Sequence, residues 1–224
     1  MSRPRLIALP VLCLLLTAGP AAAQEDISKV NGSITADAGQ RYADLETVNG
    51  SITLEADAQA GDVETVNGSI RAGDDVSARS LATVNGGIRT GERARIAGDV
   101  ETVNGGIFVG RGSTVGGSIE TVNGAIGLVS TQLAGGIETV NGDVTVGVGS
   151  RVGGGLRVAR PGSSWFPIQV NRRKPRIIIG PDAVVEGPLV FEREVTLYVH
   201  DSARTGAITG ATAIAYSTPQ APRD

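Results

Sequence analysis

The sequence predicts an all-β fold: a single-stranded parallel β-helix (β-solenoid) with about 18 residues per coil, which we expect to be right-handed. The tripeptide Val-Asn-Gly occurs seven times, and the steps between successive copies are 18, 18, 18, 19, 19 and 18 along the chain. Aliphatic residues recur at the same interval, and 32 glycines are available for turns and corners. Helical repeats need about 33 residues or more, whereas this period suits one coil with three short sides.

Three rows of aliphatic residues repeat in step with the Val-Asn-Gly units. The row three residues before each valine consists of Ile27, Leu45, Val63, Leu81, Val100, Ile119 and Ile137. The row four residues after each valine consists of Ile34, Ile52, Ile70, Ile88, Ile107, Ile126 and Val144. The third row consists of Ala78, Ile96, Val115, Leu133 and Val152. One coil alone would expose these side chains, so we expect coils stacked about 4.8 Å apart around a narrow aliphatic core.

The repeated asparagines predict a corner in every coil. Asn-Gly favours tight turns because both residues tolerate positive φ, and stacked amides can hydrogen-bond from coil to coil. We therefore interpret the row as a structural ladder rather than a ligand site, and turn geometry also explains the Asn-Gly-Ser glycosylation sequons without a glycan. The ladder consists of Asn31, Asn49, Asn67, Asn85, Asn104, Asn123 and Asn141.

The N-terminal segment has the pattern of a secretory signal. Arg3 and Arg5 precede an apolar run over residues 6–16, and three alanines at 21–23 offer a cleavage site. The only cysteine, Cys13, lies in this segment, so we expect no disulfide and no thiol chemistry in the exported chain. No later apolar run is long enough to span a membrane. The sequence therefore predicts a periplasmic or secreted protein.

The predicted organisation follows from where the repeat stops and resumes. It comprises a signal peptide (1–23), a β-solenoid repeat array (24–160), a basic loop containing the sole tryptophan (161–176), divergent C-terminal coils (177–210) and a flexible tail (211–224).

The divergent coils are predicted from a weaker copy of the pattern. Ile177 and Ile179 align with Val195 and Leu197, one repeat period further on. The segment 185–189 copies the corner at 152–156.

The charge distribution singles out the break in the repeat. Residues 24–150 carry 17 acidic and 8 basic residues, whereas residues 151–224 carry 6 acidic and 10 basic residues. The predicted contact for an anionic envelope polymer, such as an acidic glycan, consists of Trp165, Arg172, Arg173, Lys174 and Arg176. Two other interpretations stay open: Trp165 plugs the side of the solenoid while the arginines are solvated, or the basic segment docks on the acidic array of a neighbouring molecule. Nucleic acid is not an expected partner of an exported protein.

Two further rows invite a functional interpretation, and neither predicts chemistry. Acidic residues recur at one repeat position, with Asp44, Asp62 and Asp99 nearby: Glu46, Glu64, Glu101, Glu120 and Glu138. A single row of carboxylates rarely supplies the six to eight oxygens that Ca²⁺ takes, so we interpret it as screened surface charge. Threonines also recur, as on ice-binding faces, but beside a column of glutamates rather than a second column of threonines: Thr47, Thr65, Thr83, Thr102, Thr121 and Thr139.

No catalytic constellation is apparent in the sequence. His200 is the sole histidine, and Asp201 beside it is poorly placed to act as its partner. Phosphate-binding loops and zinc motifs are missing, so we expect no cofactor, no metal and no enzyme activity. A carbohydrate-active enzyme is the least favoured alternative.

Two groups of proteins share short patterns with this chain. The repeated unit Glu-Thr-Val-Asn-Gly-Ser/Gly-Ile resembles the adhesin-like β-solenoid repeats of exported bacterial proteins. The segment from Gly180 to Leu189 resembles the Gly-rich corners of bactofilins, the polymer-forming cytoskeletal β-helices. These resemblances imply a non-enzymatic envelope solenoid that self-assembles, and neither group carries catalytic residues over to this chain.

The expected route of self-association depends on a question of orientation. Open coils present unpaired backbone edges, which favours association end to end. Strand alternation from Val63 would place Thr65 inside and Val66 outside. Outward valines would form a long apolar stripe, which would favour assembly.

Overall fold

A computed structural model describes residues 25–161 and 173–222 and confirms the predicted fold class. The described chain is all-β and winds into a parallel β-solenoid of about ten coils, without a helix in either described range. The predicted signal segment and most of the predicted basic loop lie outside the described residues.

The strands stack into three parallel sheets, one for each side of the coil. Within the described ranges, sheets A and B contain ten strands each and sheet C contains seven. Sheet A is formed by Glu25–Asn31, Tyr42–Asn49, Asp62–Asn67, Ser80–Asn85, Val100–Asn104, Ile119–Asn123, Ile137–Thr139, Leu156–Val158, Leu189–Phe191 and Ile208–Thr209. Sheet B is formed by Ile34–Ala36, Ile52–Leu54, Ile70–Ala72, Ile88–Thr90, Ile107–Val109, Ile126–Leu128, Val144–Val146, Arg176–Ile179, Thr196–His200 and Ala213–Tyr216. Sheet C is formed by Ser77–Ala78, Arg95–Ile96, Thr114–Val115, Gln132–Leu133, Arg151–Val152, Val184–Val185 and Arg204–Thr205.

The repeat period sets the register of the sheets. In sheet A, Leu45 pairs with Val63 and Asn49 pairs with Asn67, each one repeat period further along the chain. The strands from Val100 and Ile119 pair in the same way across one of the longer repeats. Equivalent positions therefore form continuous rows along the solenoid axis, and every row faces either the core or the solvent.

The core is a narrow column of aliphatic side chains contributed by all three sheets. The rows that contain Leu45 in sheet A, Ile52 in sheet B and Ile96 in sheet C are buried almost throughout. β-branched residues dominate these rows because they pack well on a pleated surface. In sheet A the second inward row is the threonine row, so the core is not wholly apolar.

The corner between sheets B and C turns through one residue with positive φ. In eight coils this residue has φ between 46° and 72°, and five of the eight are not glycine. The positions are Gly39, Asp57, Asp75, Arg93, Gly112, Ser130, Gly149 and Asp182. This corner, rather than the Asn-Gly corner, is where the coil consistently uses left-handed backbone.

The predicted alignment of the divergent coils is correct at one corner and wrong at the other. Val152 pairs with Val185 and Leu156 pairs with Leu189, as the sequence indicates. Ile177, however, pairs with Leu197, two positions beyond the expected partner Val195. The shift arises because both parts of this coil are one residue longer than in an 18-residue coil. The run from Ile177 to Leu189 spans 12 positions rather than 11, and the run from Leu189 to Leu197, which includes the corner 192–195, spans eight rather than seven.

The solenoid continues beyond the predicted boundary at residue 210. Ala213–Tyr216 pairs with Thr196–His200 in sheet B, and the Tyr216 hydroxyl donates a hydrogen bond to the Ile179 carbonyl at 3.3 Å. The segment 211–224 therefore includes a strand that the sequence analysis did not predict. Its short aliphatic pattern lacks the repeat signature, so the sequence does not reveal it.

Candidate functional site

The asparagine row forms a directed hydrogen-bond ladder at the corner between sheets A and B. Each side-chain amide donates from Nδ2 to Oδ1 of the asparagine in the preceding coil, at 2.9–3.0 Å. The six bonds point the same way, so the amide dipoles reinforce one another. These amides serve coil stacking, as the sequence interpretation expects.

The ladder ends where the repeat ends. Asn141 is the last asparagine of the row, and its Oδ1 accepts a hydrogen bond from Arg193 Nη1 at 2.6 Å. The same nitrogen donates to the Val140 carbonyl at 3.0 Å. Arg193 lies in the corner that follows the strand Leu189–Phe191, in a later coil. It supplies the last donor that the ladder needs.

The repeat glycines are required for close stacking rather than for positive φ. Of the seven, Gly32 and Gly124 have positive φ. At Gly68 and Gly86, an added Cβ would lie 1.8 and 1.9 Å from the glycine carbonyl of the preceding coil. The sequence analysis attributed these glycines to positive φ. The structure shows instead that crowding between coils excludes a side chain at the Asn-Gly corner.

The threonine row points inward and completes the same corner. Thr83 Oγ1, for example, donates to the Gly68 carbonyl at 2.9 Å, and four other threonines make the equivalent bond. Thr139 is buried, and its Oγ1 has no hydrogen-bond partner among the described residues. Because these side chains are buried, they do not form an exposed threonine face.

The repeated valines point outward and form a ridge along sheet A. Val48, Val66, Val84 and Val103 are each 40–41% exposed, and Val30 is 68% exposed. Val122 and Val140 continue the ridge and are half-buried. Strand alternation explains this orientation, since the neighbouring threonines occupy the inward positions. The valine ridge consists of Val30, Val48, Val66, Val84, Val103, Val122 and Val140.

A row of glutamates runs beside the valine ridge on the same face. The two rows border a shallow groove of about 540 Å³ that extends from the first coil to Val140. Glu101, Glu120 and Glu138 occupy three successive coils in register. Partial burial, followed by repulsion from Glu101 and Glu138, raises the pKa of Glu120. At the end of the row, Arg157 Nη1 contacts Glu138 Oε1 at 3.3 Å.

The aspartates near this row are engaged in coil stacking. Asp44 Oδ1 accepts from the Asp62 backbone N–H at 2.8 Å, and Asp99 Oδ1 accepts from the Ser118 backbone N–H at 2.7 Å. Arg79 forms ion pairs with Asp44 and Asp62. In the described part of the chain, no cluster of three or more acidic, His or Cys side chains is suitable for holding a metal ion.

The described residues of the predicted basic contact have partners within the chain. Arg173 Nη2 lies 3.0 Å from Asp143 Oδ2, and Lys174 Nζ lies 2.9 Å from Glu194 Oε2. Arg176 donates to the Pro222 carbonyl and packs its guanidinium 5.1 Å from the centre of the Tyr198 ring. Trp165 and Arg172 lie outside the described residues. Polymer binding by this set stays a prediction, and partners within the chain compete for three of its cations.

The sequence shows no acidic residue between Arg151 and Arg176, but the coils before and after supply the acids. Arg151 pairs with Glu186 at 2.6 Å. Arg157 bridges Glu138 and Glu192, the latter at 2.6 Å. These partners lie 19–35 residues away in sequence, which is one coil or one enlarged coil. Coil stacking therefore brings acids that are distant in sequence next to the basic segment and neutralises much of its charge.

The outer face of sheet B carries a small basic and aromatic group. Arg71 and Arg89 are in register on neighbouring coils, and Phe108 follows Arg89 in the next coil. Arg89 Cζ lies 4.7 Å from the centre of the Phe108 ring. Sequence reasoning missed this group because its three residues are 18–19 positions apart and belong to no repeated motif.

His200 participates in a local turn. Its Nδ1 lies 2.9 Å from Ser202 Oγ and accepts from the Ser202 backbone N–H at 3.1 Å. Its ring packs edge-on against Tyr216, with ring centres 5.0 Å apart. Since Nδ1 is the acceptor for a backbone N–H, this contact is typical of a structural turn rather than of a base that activates a nucleophile.

Comparison with protein-family models, curated proteins and solved structures finds no match to this chain. In the described ranges there is also no helix long and apolar enough to cross a membrane. The fold is therefore established by the structure, and function is argued from the surfaces.

Proposed function

We propose that this protein is a non-enzymatic, exported structural element of the cell envelope that self-associates through its sides, as a scaffold or adhesin-like solenoid. The observation that carries the proposal is the valine ridge on sheet A. Five of its valines are 40–68% exposed in consecutive coils. A continuous apolar row of this kind is typical of an interaction surface rather than of an isolated monomer.

The distribution of polar contacts supports a structural role. The asparagine, threonine and aspartate rows bond neighbouring coils to one another, as in the Asn85–Asn67 and Asp62–Asp44 contacts. His200 and the basic residues Arg173 and Lys174 are engaged in local contacts. These observations favour a rigid rod over an active site.

The N-terminal end of the described solenoid is less suited to association than its sides. The first sheet A strand places Lys29 in register with the buried Thr47. Its ammonium donates to the Ser33 carbonyl at 2.9 Å at the exposed edge. Stacking another molecule on this end would bury that charge, and inward-pointing charges are a common protection of sheet edges.

Light scattering coupled to size-exclusion chromatography tests the proposal. The protein is expressed from its full sequence and purified from the extracytoplasmic fraction, where intact mass also tests cleavage before Gln24. We expect oligomers whose size increases with protein concentration. A strict monomer at high concentration and low salt would contradict self-association.

A ridge variant identifies the surface. The triple substitution Val66→Thr, Val84→Thr and Val103→Thr retains β-branched residues but removes apolar area, so it should abolish association with little change in the urea midpoint. The matched control is Val148→Thr, at an exposed valine (46%) in the corner between sheets B and C. An associating triple variant would reject the ridge as the contact.

A further inference from the structure

Sheet B bears two arginines whose charge is not balanced within the described chain. Arg71 and Arg89 are exposed, in register on neighbouring coils, and neither forms an ion pair with a described acidic side chain. Arg79 and Arg93, by contrast, contact Asp62 and Asp75. Like charges placed directly opposite in neighbouring strands are destabilising. The arrangement therefore has an electrostatic cost that an acidic partner would offset.

A trough of small residues runs beside these arginines. Each trough residue stands two positions before a member of the row formed by Arg71, Arg89, Phe108 and Gly127. With that row they line a groove of about 430 Å³. The trough consists of Ser69, Gly87, Gly106 and Ala125. Gly127 follows Phe108 in register, so no side chain of the next coil covers the ring.

The outer face of sheet A has the complementary pattern. Its acidic row stands two positions before its valine ridge, as Glu64 stands before Val66. Two positions along a strand span roughly 6.6 Å on either sheet, and both faces repeat once per coil at about 4.8 Å. The two faces therefore match both along the strands and along the solenoid axis. Acidic residues face basic residues, and the valine ridge faces the trough.

We propose that the partner of sheet A is sheet B of a second copy of this chain. The valine ridge of one copy lies in the trough of the other, and its glutamates pair with Arg71 and Arg89 beside Phe108. Glu101 and Glu120, which are in register on neighbouring coils, match the spacing of the two arginines. This inference rests on the proposed self-association and adds the partner surface to it.

The order of the rows also determines the relative direction of the two solenoids. Along the chain, sheet A presents the acid first and the valine second, whereas sheet B presents the trough first and the arginine second. When two solenoid axes are parallel, the chains cross the shared interface in opposite directions. Acid then faces arginine and valine faces trough. Antiparallel axes would place the glutamates over the trough, so the copies pack with parallel axes.

When sheet A of one copy binds sheet B of another, the first copy keeps a free sheet B and the second keeps a free sheet A. Such heterologous contacts propagate unless the rotation closes a ring. The structure thus assigns a lateral array of parallel solenoids. Because the ion pairs lie at the protein surface, association should weaken as salt is raised.

A charge exchange tests the partner surface. The first variant carries Arg71→Glu and Arg89→Glu, and the second carries Glu101→Arg and Glu120→Arg. Each variant alone opposes like charges, so we expect its self-association, measured by sedimentation velocity at low salt, to weaken by about tenfold or more. Mixing the two variants restores opposite charges across the contact and should restore association.

The control is Arg95→Glu with Arg204→Glu, two exposed arginines on sheet C, which should associate like the unmodified chain. Circular dichroism and the urea midpoint verify that each variant is folded. If the sheet B variant associates normally while the valine triple variant does not, the partner surface proposed here is wrong and ridge-mediated association stands. If neither variant weakens association, both proposals fail.

Discussion

Arg193 donates a 2.6 Å hydrogen bond to Asn141 and so terminates the asparagine ladder from a later coil. The two residues are 52 positions apart in sequence, and the predicted basic loop lies between them along the chain. Asn141 donates to Asn123 as the last asparagine of the row, and Arg193 supplies the donor to its own Oδ1. The contact thus joins the regular repeats to the divergent coils across the break.

The Arg193–Asn141 bond should contribute measurably to stability. Arg193→Met removes a charged donor and should lower the free energy of unfolding by about 1.5–3 kcal/mol. A double-mutant cycle with Asn141→Ala should give a coupling energy of about 1 kcal/mol or more, measured by urea denaturation. Arg204→Met is the exposed control. Additive effects of the two substitutions would show that the bond does not act as described.

The threonine row offers two chemically identical substitutions with opposite expected signs. Thr83→Val removes the hydroxyl donor to the Gly68 carbonyl and should destabilise the protein by about 1 kcal/mol. Thr139 is also buried, but its hydroxyl has no partner in the described part of the chain. Thr139→Val should therefore be neutral or stabilising by about 1 kcal/mol. Urea denaturation of the two variants side by side tests the contrast, and equal losses would refute it.

Because the repeat glycines stack closely from coil to coil, alanine should destabilise the protein at these positions. A Cβ on Gly86 would lie 1.9 Å from the Gly68 carbonyl oxygen, so the coils would have to separate. Gly86→Ala should cost about 1–3 kcal/mol or more. Gly127→Ala is the control, because its Cβ would lie 3.4 Å from the Phe108 ring, an ordinary contact. Thermal unfolding should show a lower midpoint for the first variant, and similar midpoints would count against the crowded corner.

The glutamate row predicts an effect of pH on stability. Burial and the neighbours Glu101 and Glu138 raise the pKa of Glu120 in the folded state. Because the pKa is higher in the folded state, the protonated carboxyl stabilises the fold fully at a pH below the unfolded pKa of about 4.5. This stabilisation is lost as the pH rises through the folded-state pKa. Glu120→Gln should therefore stabilise the protein at pH 7, by roughly 0.2–1 kcal/mol, and change little at pH 4.

The carboxylates that pair with arginines make stability depend on pH in the opposite direction. Hydrogen bonds from Arg79 and Arg157 lower the pKa of Asp62 and Glu192. Their stabilising contribution is present above the unfolded pKa and is lost as pH falls through the folded value. Urea midpoints of the unmodified chain and of Glu120→Gln, measured between pH 4 and pH 7, separate the two effects. An equal gain for Glu120→Gln at both ends of this range would contradict the repulsion argument.

The repeat alone determines most of the architecture, because a nearly fixed period places every equivalent residue in one row. The inward rows through Leu45 and Ile52 and the amide ladder through Asn85 are therefore readable from spacing. The repeat pattern is weaker in the divergent coils. The sequence therefore did not predict the strand Ala213–Tyr216, and it aligned Ile177 with Val195 rather than with its actual partner Leu197. Pairing there depends on corner length, which only the folded coils define.

The candidate surfaces required the tertiary structure, for a related reason. A basic run without nearby acids in sequence predicts a polyanion site, but Glu138, Glu186 and Glu192 reach it from neighbouring coils. The Arg71–Arg89–Phe108 group likewise exists only because stacking aligns residues that are 18–19 positions apart. The sequence by itself determined the coil, its period and its inward rows, since these follow from local spacing. Stacking decided which charges are balanced and which faces remain free, because ion pairs and exposed rows form between coils rather than along the chain.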